Sequence, residues 1–159
     1  MRSDKKFFGK SSSLPVDKFF LNVLYDKEYG YYNKKEPFGS NGDYVTAPKI
    51  SFLFSDIIAI WLISTWENFG KPKHFNIVEL GPGDGSLTKN ILKIFKNFPN
   101  FNNSKKIFLY EISNFLTKVQ KKKLKNNKVK WIKDFNEIKK GPVIFFGNEF
   151  FDAIPIKQF

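Results

Sequence analysis

Apolar residues recur along the chain at two spacings, helical and strand-like, and these divide it into segments. Phe19, Phe20, Val23 and Leu24 form a helical stripe reaching to about Tyr25. Ser13-Leu14-Pro15-Val16-Asp17 reads as its start, with Ser13 as cap and Pro15 in the first turn. Tyr29-Gly30-Tyr31-Tyr32 is a compact aromatic turn. A run rich in Ile, Leu, Phe and Trp over 51–69 predicts a buried amphipathic helix ending before Gly70-Lys71-Pro72. The longest apolar run, 50–64, contains Asp56 and is too short for a membrane span. Ile77, Val78 and Leu80 predict a buried strand, and Leu87, Ile91, Leu92 and Phe95 a helix after it. Ile107-Phe108-Leu109-Tyr110 reads as a second strand, 115–124 as a helix, and Val129-Lys130-Trp131-Ile132 as a third strand. Pro142-Val143-Ile144-Phe145-Phe146 reads as a fourth. Polar stretches with Gly, Asn and Pro mark loops at 38–48 and 99–106, and the lysine-rich 1–13 is a disordered lead. Strands alternating with helices predict an α/β fold with a parallel, Rossmann-like sheet.

The stretch 76–87 organises the rest. Three glycines at alternate positions, Gly81, Gly83 and Gly85, make a tight turn whose backbone lies bare to a ligand. A dinucleotide fingerprint would want glycine at the sixth position of the turn, where Ser86 stands. A phosphate P-loop would end in Gly-Lys-Ser/Thr, which is absent. Glu79 beside the strand end, followed by Gly-x-Gly-x-Gly, resembles the first motif of class I S-adenosylmethionine-dependent methyltransferases. The chemistry agrees. A helix N-terminus can receive the cofactor's carboxylate, and a carboxylate or loop carbonyl can accept from its ammonium. The alternative is a glycine turn in some other α/β domain.

Further acids follow the later strands. Glu111 ends the second strand, where a carboxylate can accept from both ribose hydroxyls; the plain alternative is a surface glutamate. Asp134, after the third strand, is placed for the adenine amino group, on a weaker signal. Asn148, Glu149 and Asp152 follow the fourth strand, either facing an acceptor or simply capping a strand-to-helix turn. The loop 38–48, which contains Asp43, is a lid or a connector.

Composition narrows the chemistry. The 159 residues make one domain's worth of chain. With no cysteine, disulfides, thiolate zinc sites and thiol nucleophiles are excluded. His74 is the single histidine and reads as a solvated loop residue, so no metal is expected. The formal charge of +12 suits nucleic acid or an anionic surface. Lysine is spread through every segment, however, and the run Lys121-Lys122-Lys123-Leu124-Lys125 reads as a solvated helix end. A nucleic-acid partner is therefore not favoured, and neither is membrane insertion.

Four motifs occur in order: Tyr29-Gly30-Tyr31-Tyr32; Gly42-Asp43-Tyr44-Val45-Thr46-Ala47-Pro48-Lys49-Ile50-Ser51; Val78-Glu79-Leu80-Gly81-Pro82-Gly83-Asp84-Gly85-Ser86-Leu87; and Asn148-Glu149-Phe150-Phe151-Asp152-Ala153-Ile154-Pro155. Together, across 14–159, they resemble the MidA-like family, which includes a mitochondrial complex I assembly factor that methylates an arginine. Three positions depart from the family pattern: Phe52 where Gln is usual, and Ser55-Asp56 where Gly-Glu is usual.

The resemblance implies a class I methyltransferase that uses S-adenosylmethionine, with a protein arginine as acceptor. Cofactor-binding residues would be Glu79, Gly81, Gly83, Asp84, Gly85, Glu111, Asp134 and Asn148. Glu149, Asp152 and Asp43 would orient the guanidinium and accept its proton. Three segments are implied: the lead 1–13, an N-terminal helical and lid segment 14–72, and the first half of the cofactor domain at 73–159. Family members are roughly twice as long and carry seven strands, so a truncated sheet is expected, one that binds cofactor weakly and methylates nothing alone. Methylation of RNA or a small molecule, or a non-catalytic assembly role, are the alternative functions. The compartment would be the cytoplasm for a bacterial source, which is favoured, or the mitochondrial matrix for a eukaryotic one.

Overall fold

The computed structural model describes residues 13–34, 52–138 and 140–158. Most of the expected lead, the loop 38–48 with Asp43, and the motif residues up to Ser51 lie outside the described residues. In chain order the elements are α1 (Val16–Tyr25), α2 (Tyr31–Lys34), α3 (Phe52–Asn68), β1 (Phe75–Leu80), α4 (Ser86–Phe95), α5 (Pro99–Ser104), β2 (Lys105–Tyr110), α6 (Asn114–Lys123), β3 (Val129–Ile132) and β4 (Val143–Phe146). Single 3-10 turns at Phe135–Glu137 and Phe151–Ala153 flank β4.

The four strands form one parallel sheet in the order β3-β2-β1-β4. The chain steps outward from β1 to β2 to β3, then returns to the far side of β1 as β4. That reversal opens a crevice between the carboxyl ends of β1 and β4, where ligands bind in open α/β sheets.

Alternation along β1 divides the core. Ile77, with Ile107 and Leu109 of β2, faces α3 and α4, whose buried residues include Leu62, Trp66, Leu87, Ile91 and Phe95. Val78, Phe108 and Ile132 face the other way and are covered by Ile138 and Val143, a much thinner layer. Phe145 of β4 is left about half exposed.

Three local expectations change. α1 starts two residues later than its cap signal implied: Pro15, not Ser13, is the N-cap, with no side-chain cap bond. α3 is not amphipathic. Ser55, Ala59, Leu62, Ile63 and Trp66 are buried, but Leu53, Ile57, Ile60 and Trp61 stand exposed on the same helix. The stretch expected to be a loop at 99–106 contains α5, opened by Pro99 in its first turn. Asn is a poor helix former, so local propensity carries little sign of it. What fixes α5 is Phe101, fully buried with its ring 4.7 Å from that of Phe95 and 5.4 Å from that of Trp66. Phe101→Ala should therefore lower unfolding free energy by about 3–5 kcal/mol, read as a fall in the urea midpoint.

Candidate active site

The turn after β1 needs left-handed backbone three times: φ is +58° at Gly81, +55° at Gly83 and +79° at Gly85. L side chains rarely adopt that conformation, so the turn stays bare. A Cβ at Gly81 would also lie 2.6 Å from the Phe150 ring. Gly85 then serves as N-cap of α4, and Ser86 N–H donates to Asp84 Oδ1 at 2.9 Å.

This turn walls two adjoining cavities at the sheet's switch point. One, of about 250 Å³, is bounded by Glu79, Gly81, Gly83, Asp84 and Ser86 on the β1 side and by Asn148, Glu149 and Asp152 on the β4 side. The other, of about 320 Å³, is bounded by Gly81, Gly83, Tyr110, Glu111 and Ile112, with Glu149 and Phe150 opposite. Tyr32 reaches both cavities from the N-terminal segment. That segment is tied down by two long-range bonds. Tyr25 O–H donates to the Ala153 carbonyl at 2.9 Å, and Ser113 O–H donates to the Tyr32 carbonyl at 2.8 Å. Burial, with Tyr32, Glu111 and Asp152 nearby, pushes the Tyr25 phenol up to about 12.

The acids differ in their surroundings. Glu79 is buried and accepts from the Thr88 hydroxyl of α4. Burial pushes its carboxyl up to about 7; the Thr88 bond opposes the rise and the Asp84 charge adds to it. Glu111 is also buried. One of its oxygens accepts from Ser113 N–H at 2.8 Å and the other from Gln120 Nε2 at 3.0 Å. Burial raises its carboxyl above the usual range, against those two donors, the Ile112 backbone N–H and the Lys133 charge. Asp84 is committed within the turn: it accepts from the Ser86 hydroxyl at 3.0 Å and pairs with Lys123 Nζ at 2.7 Å. Glu149 and Asp152 are exposed at the mouth. Glu149 has φ +51°, a conformation costing on the order of 1 kcal/mol for a residue with a side chain.

Of the expected residues, Glu79, Gly81, Gly83, Asp84, Asn148, Glu149 and Asp152 bound the first cavity, and Glu111 bounds the second. Gly85 lies behind the turn against α6. Asp134 does not join them: it is exposed, opens the 3-10 turn after β3, and accepts from Asn136 N–H at 2.8 Å. Asp43 lies outside the described residues. Lys123 corrects the solvated-end reading of its lysine run, since it reaches back to Asp84 while Lys121 and Lys122 stay exposed. Sequence reasoning missed Gln120, whose one signal is its spacing of four residues from the buried Leu116 and Leu124. Among the described residues no group of three His, Cys, Asp or Glu could hold a metal ion.

A family model described as "Putative S-adenosyl-L-methionine-dependent methyltransferase" matches residues 57–159. The chain belongs to that family. Its relatives include the mitochondrial protein arginine methyltransferase NDUFAF7 of Xenopus tropicalis, 34% identical over 169 residues, which cover 91% of this chain and 39% of that protein. Human NDUFAF7 is 31% identical over 170 residues, covering 92% of this chain and 38% of that protein. The chain therefore spans about two fifths of the length of these relatives. The fold is similar to that of a COG1565 superfamily member from Burkholderia thailandensis, crystallised with S-adenosyl-homocysteine. The TM-score is 0.72 at 25% identity, covering 89% of this chain and 38% of that one. A second structure from the same organism gives 0.67 at 25% identity, covering 91% and 36%.

The Glu79 environment has a measurable consequence. Below pH about 4.5 this carboxyl is protonated folded or unfolded; between 4.5 and about 7 only the unfolded chain releases the proton. Stability should thus fall as pH rises through that window and level off above it. Glu79→Gln should remove the fall, becoming more stable than the parent at pH 7.5 by on the order of 3 kcal/mol, as urea titrations at pH 4.5, 6 and 7.5 would register.

Proposed function

We propose that this chain binds S-adenosylmethionine across the two cavities, and that the whole protein methylates a protein arginine. One observation carries the reading. In a chain of net charge +12, Glu79, Asp84, Glu111, Glu149 and Asp152 gather around one crevice. Such a crevice attracts a sulfonium, an ammonium or a guanidinium and repels a phosphate. The residues fit the cofactor. The bare turn and the start of α4 suit its amino-acid tail, with Glu79 beside the ammonium. Glu111, held by Ser113, Gln120 and Ile112, turns its carboxylate toward the second cavity, where it can accept from a ribose hydroxyl. Asn148 adds an amide at the junction of the cofactor and acceptor sides.

The bound cofactor supplies an electrophilic methyl on sulfur. The chain's own residues position the reactants and exclude water. Glu149 and Asp152 orient the guanidinium and take its proton as it becomes a nucleophile, with Asp43 as a third carboxylate in this role. The segment 14–72 precedes the cofactor domain at 73–159, and its first part acts as a cover, a reading supported by Tyr25, Tyr32 and their bonds to Ala153 and Ser113, whereas α3 packs into the core of the sheet. Asp134 would act only on the adenine edge. The relatives named for arginine methylation support a protein acceptor. Those relatives are mitochondrial. No helix among the described residues is long and apolar enough to cross a membrane. Our reading for this chain is a bacterial cytoplasm, with the matrix as the eukaryotic counterpart.

Calorimetry should show S-adenosylhomocysteine binding to the chain, weakening by up to about ten-fold per unit as pH drops below the Glu79 value of about 7. Absence of binding at millimolar ligand would overturn the assignment. In a full-length family member, Gln at the position of Glu149 should reduce kcat by about 10²–10⁴-fold while moving cofactor Kd little. Parallel losses in both would remove Glu149 from the acceptor side.

A further inference from the structure

α6 buries a glutamine where its neighbours one turn away, Leu116 and Leu124, are apolar. Gln120 has no solvent exposure. Its side chain has two N–H bonds and one oxygen to satisfy, and all three are used. Nε2 donates to the Gly83 carbonyl at 2.7 Å and to Glu111 Oε2 at 3.0 Å; Oε1 accepts from the Trp131 indole N–H at 2.8 Å. A carbonyl only accepts and an indole N–H only donates, so these partners fix which way the amide faces.

The three partners sit after β1, after β2 and within β3. An apolar residue would fill the same space without needing any of them. What the amide adds is a fixed relation between two walls of one cavity. The two hydrogens of a planar NH2 group diverge at a set angle, so the Gly83 carbonyl and the Glu111 carboxylate cannot shift independently. Leu124 and the Gln120 stem also back the turn, lying 3.5 and 3.4 Å from where a Cβ on Gly85 would be. Three residues along α6, Lys123 holds Asp84 of the same turn.

We infer that Gln120 is a positioning residue for the ribose: its amide locks the Glu111 carboxylate in register with the glycine turn, so that the carboxylate is held facing a vicinal diol. This rests on the cofactor reading above. Gln120 touches neither substrate nor cofactor; it acts through Glu111. Its loss also leaves Glu111 with one donor fewer against burial, so the carboxyl protonates more readily.

The test compares S-adenosylhomocysteine with its 2′-deoxy analogue, by calorimetry, on the parent chain and on Gln120→Met, which keeps the bulk and removes the amide. The parent should prefer the ribose ligand by about ten-fold or more. Gln120→Met should lose most of that preference, weakening S-adenosylhomocysteine by about ten-fold and the deoxy ligand by less than about three-fold. The remaining ribose affinity should decline more steeply in the variant than in the parent between pH 8 and 6. Trp131→Phe, which strips only the donor that orients the amide, should shift the preference in the same direction and covers the case in which Gln120→Met does not fold. Equal weakening of both ligands, or an unchanged preference in a folded variant, would overturn the positioning role. A parent that binds both ligands equally would overturn it as well, while a parent that binds neither would instead overturn the cofactor reading on which it stands.

Discussion

Everything at this site depends on a backbone that turns left-handed three times within five residues. Gly81, Gly83 and Gly85 adopt that conformation between β1 and α4, and those three positions bring no side chain to keep the bend in shape. Its shape is therefore held partly from within and partly from outside. Asp84 folds back onto Ser86, and α6 braces the bend at two points through Gln120 and Lys123. A loop with maximal conformational freedom in the unfolded chain is thus restrained by hydrogen bonds from a neighbouring helix. Preorganisation of this kind leaves less ordering to be done when a ligand arrives.

The electrostatics follow from where the strands end. Glu79, Glu111 and Glu149 sit at or just past the carboxyl ends of β1, β2 and β4, which the parallel sheet brings to one edge. Two of these carboxylates are buried and two further acids, Asp84 and Asp152, lie close by. Lys123 neutralises only Asp84 among them. A cationic ligand would therefore complete the charge balance of the crevice, which is why burial can hold Glu79 near neutrality until such a ligand is present.

Much of this was legible in the sequence because strand-end chemistry has a fixed address. Apolar runs mark the strands, glycines mark the turn, and the acids follow immediately. The four parallel strands appear within two residues of where the apolar runs placed them; β1 and β2 each start two residues early, β2 because α5 leads straight into it. α5 itself was hidden: a single buried phenylalanine among asparagines carries no periodicity. Gln120 was hidden for another reason. In a helix crowded with lysines a glutamine looks solvated, and only the phase it shares with Leu116 and Leu124 says otherwise. Asp84 could be read as a cavity residue from its position, but its bonds to Ser86 and Lys123 belong to tertiary contacts that no local pattern encodes. Nor could the sequence show that α3 would leave Leu53, Ile57, Ile60 and Trp61 uncovered, because large apolar residues lie on every side of this helix and its few polar ones do not gather on one face.

The left-handed backbone at Glu149 has an implication for how this loop can change. Glycine would occupy that dihedral without penalty, and asparagine with little. Glutamate there means that the loop tolerates an unfavourable geometry in exchange for a carboxylate at the crevice mouth. A mutational drift toward backbone comfort at this one position would make the loop easier to fold while removing the carboxylate from the crevice mouth, so durability of the loop and the charge of the crevice pull on it in opposite directions.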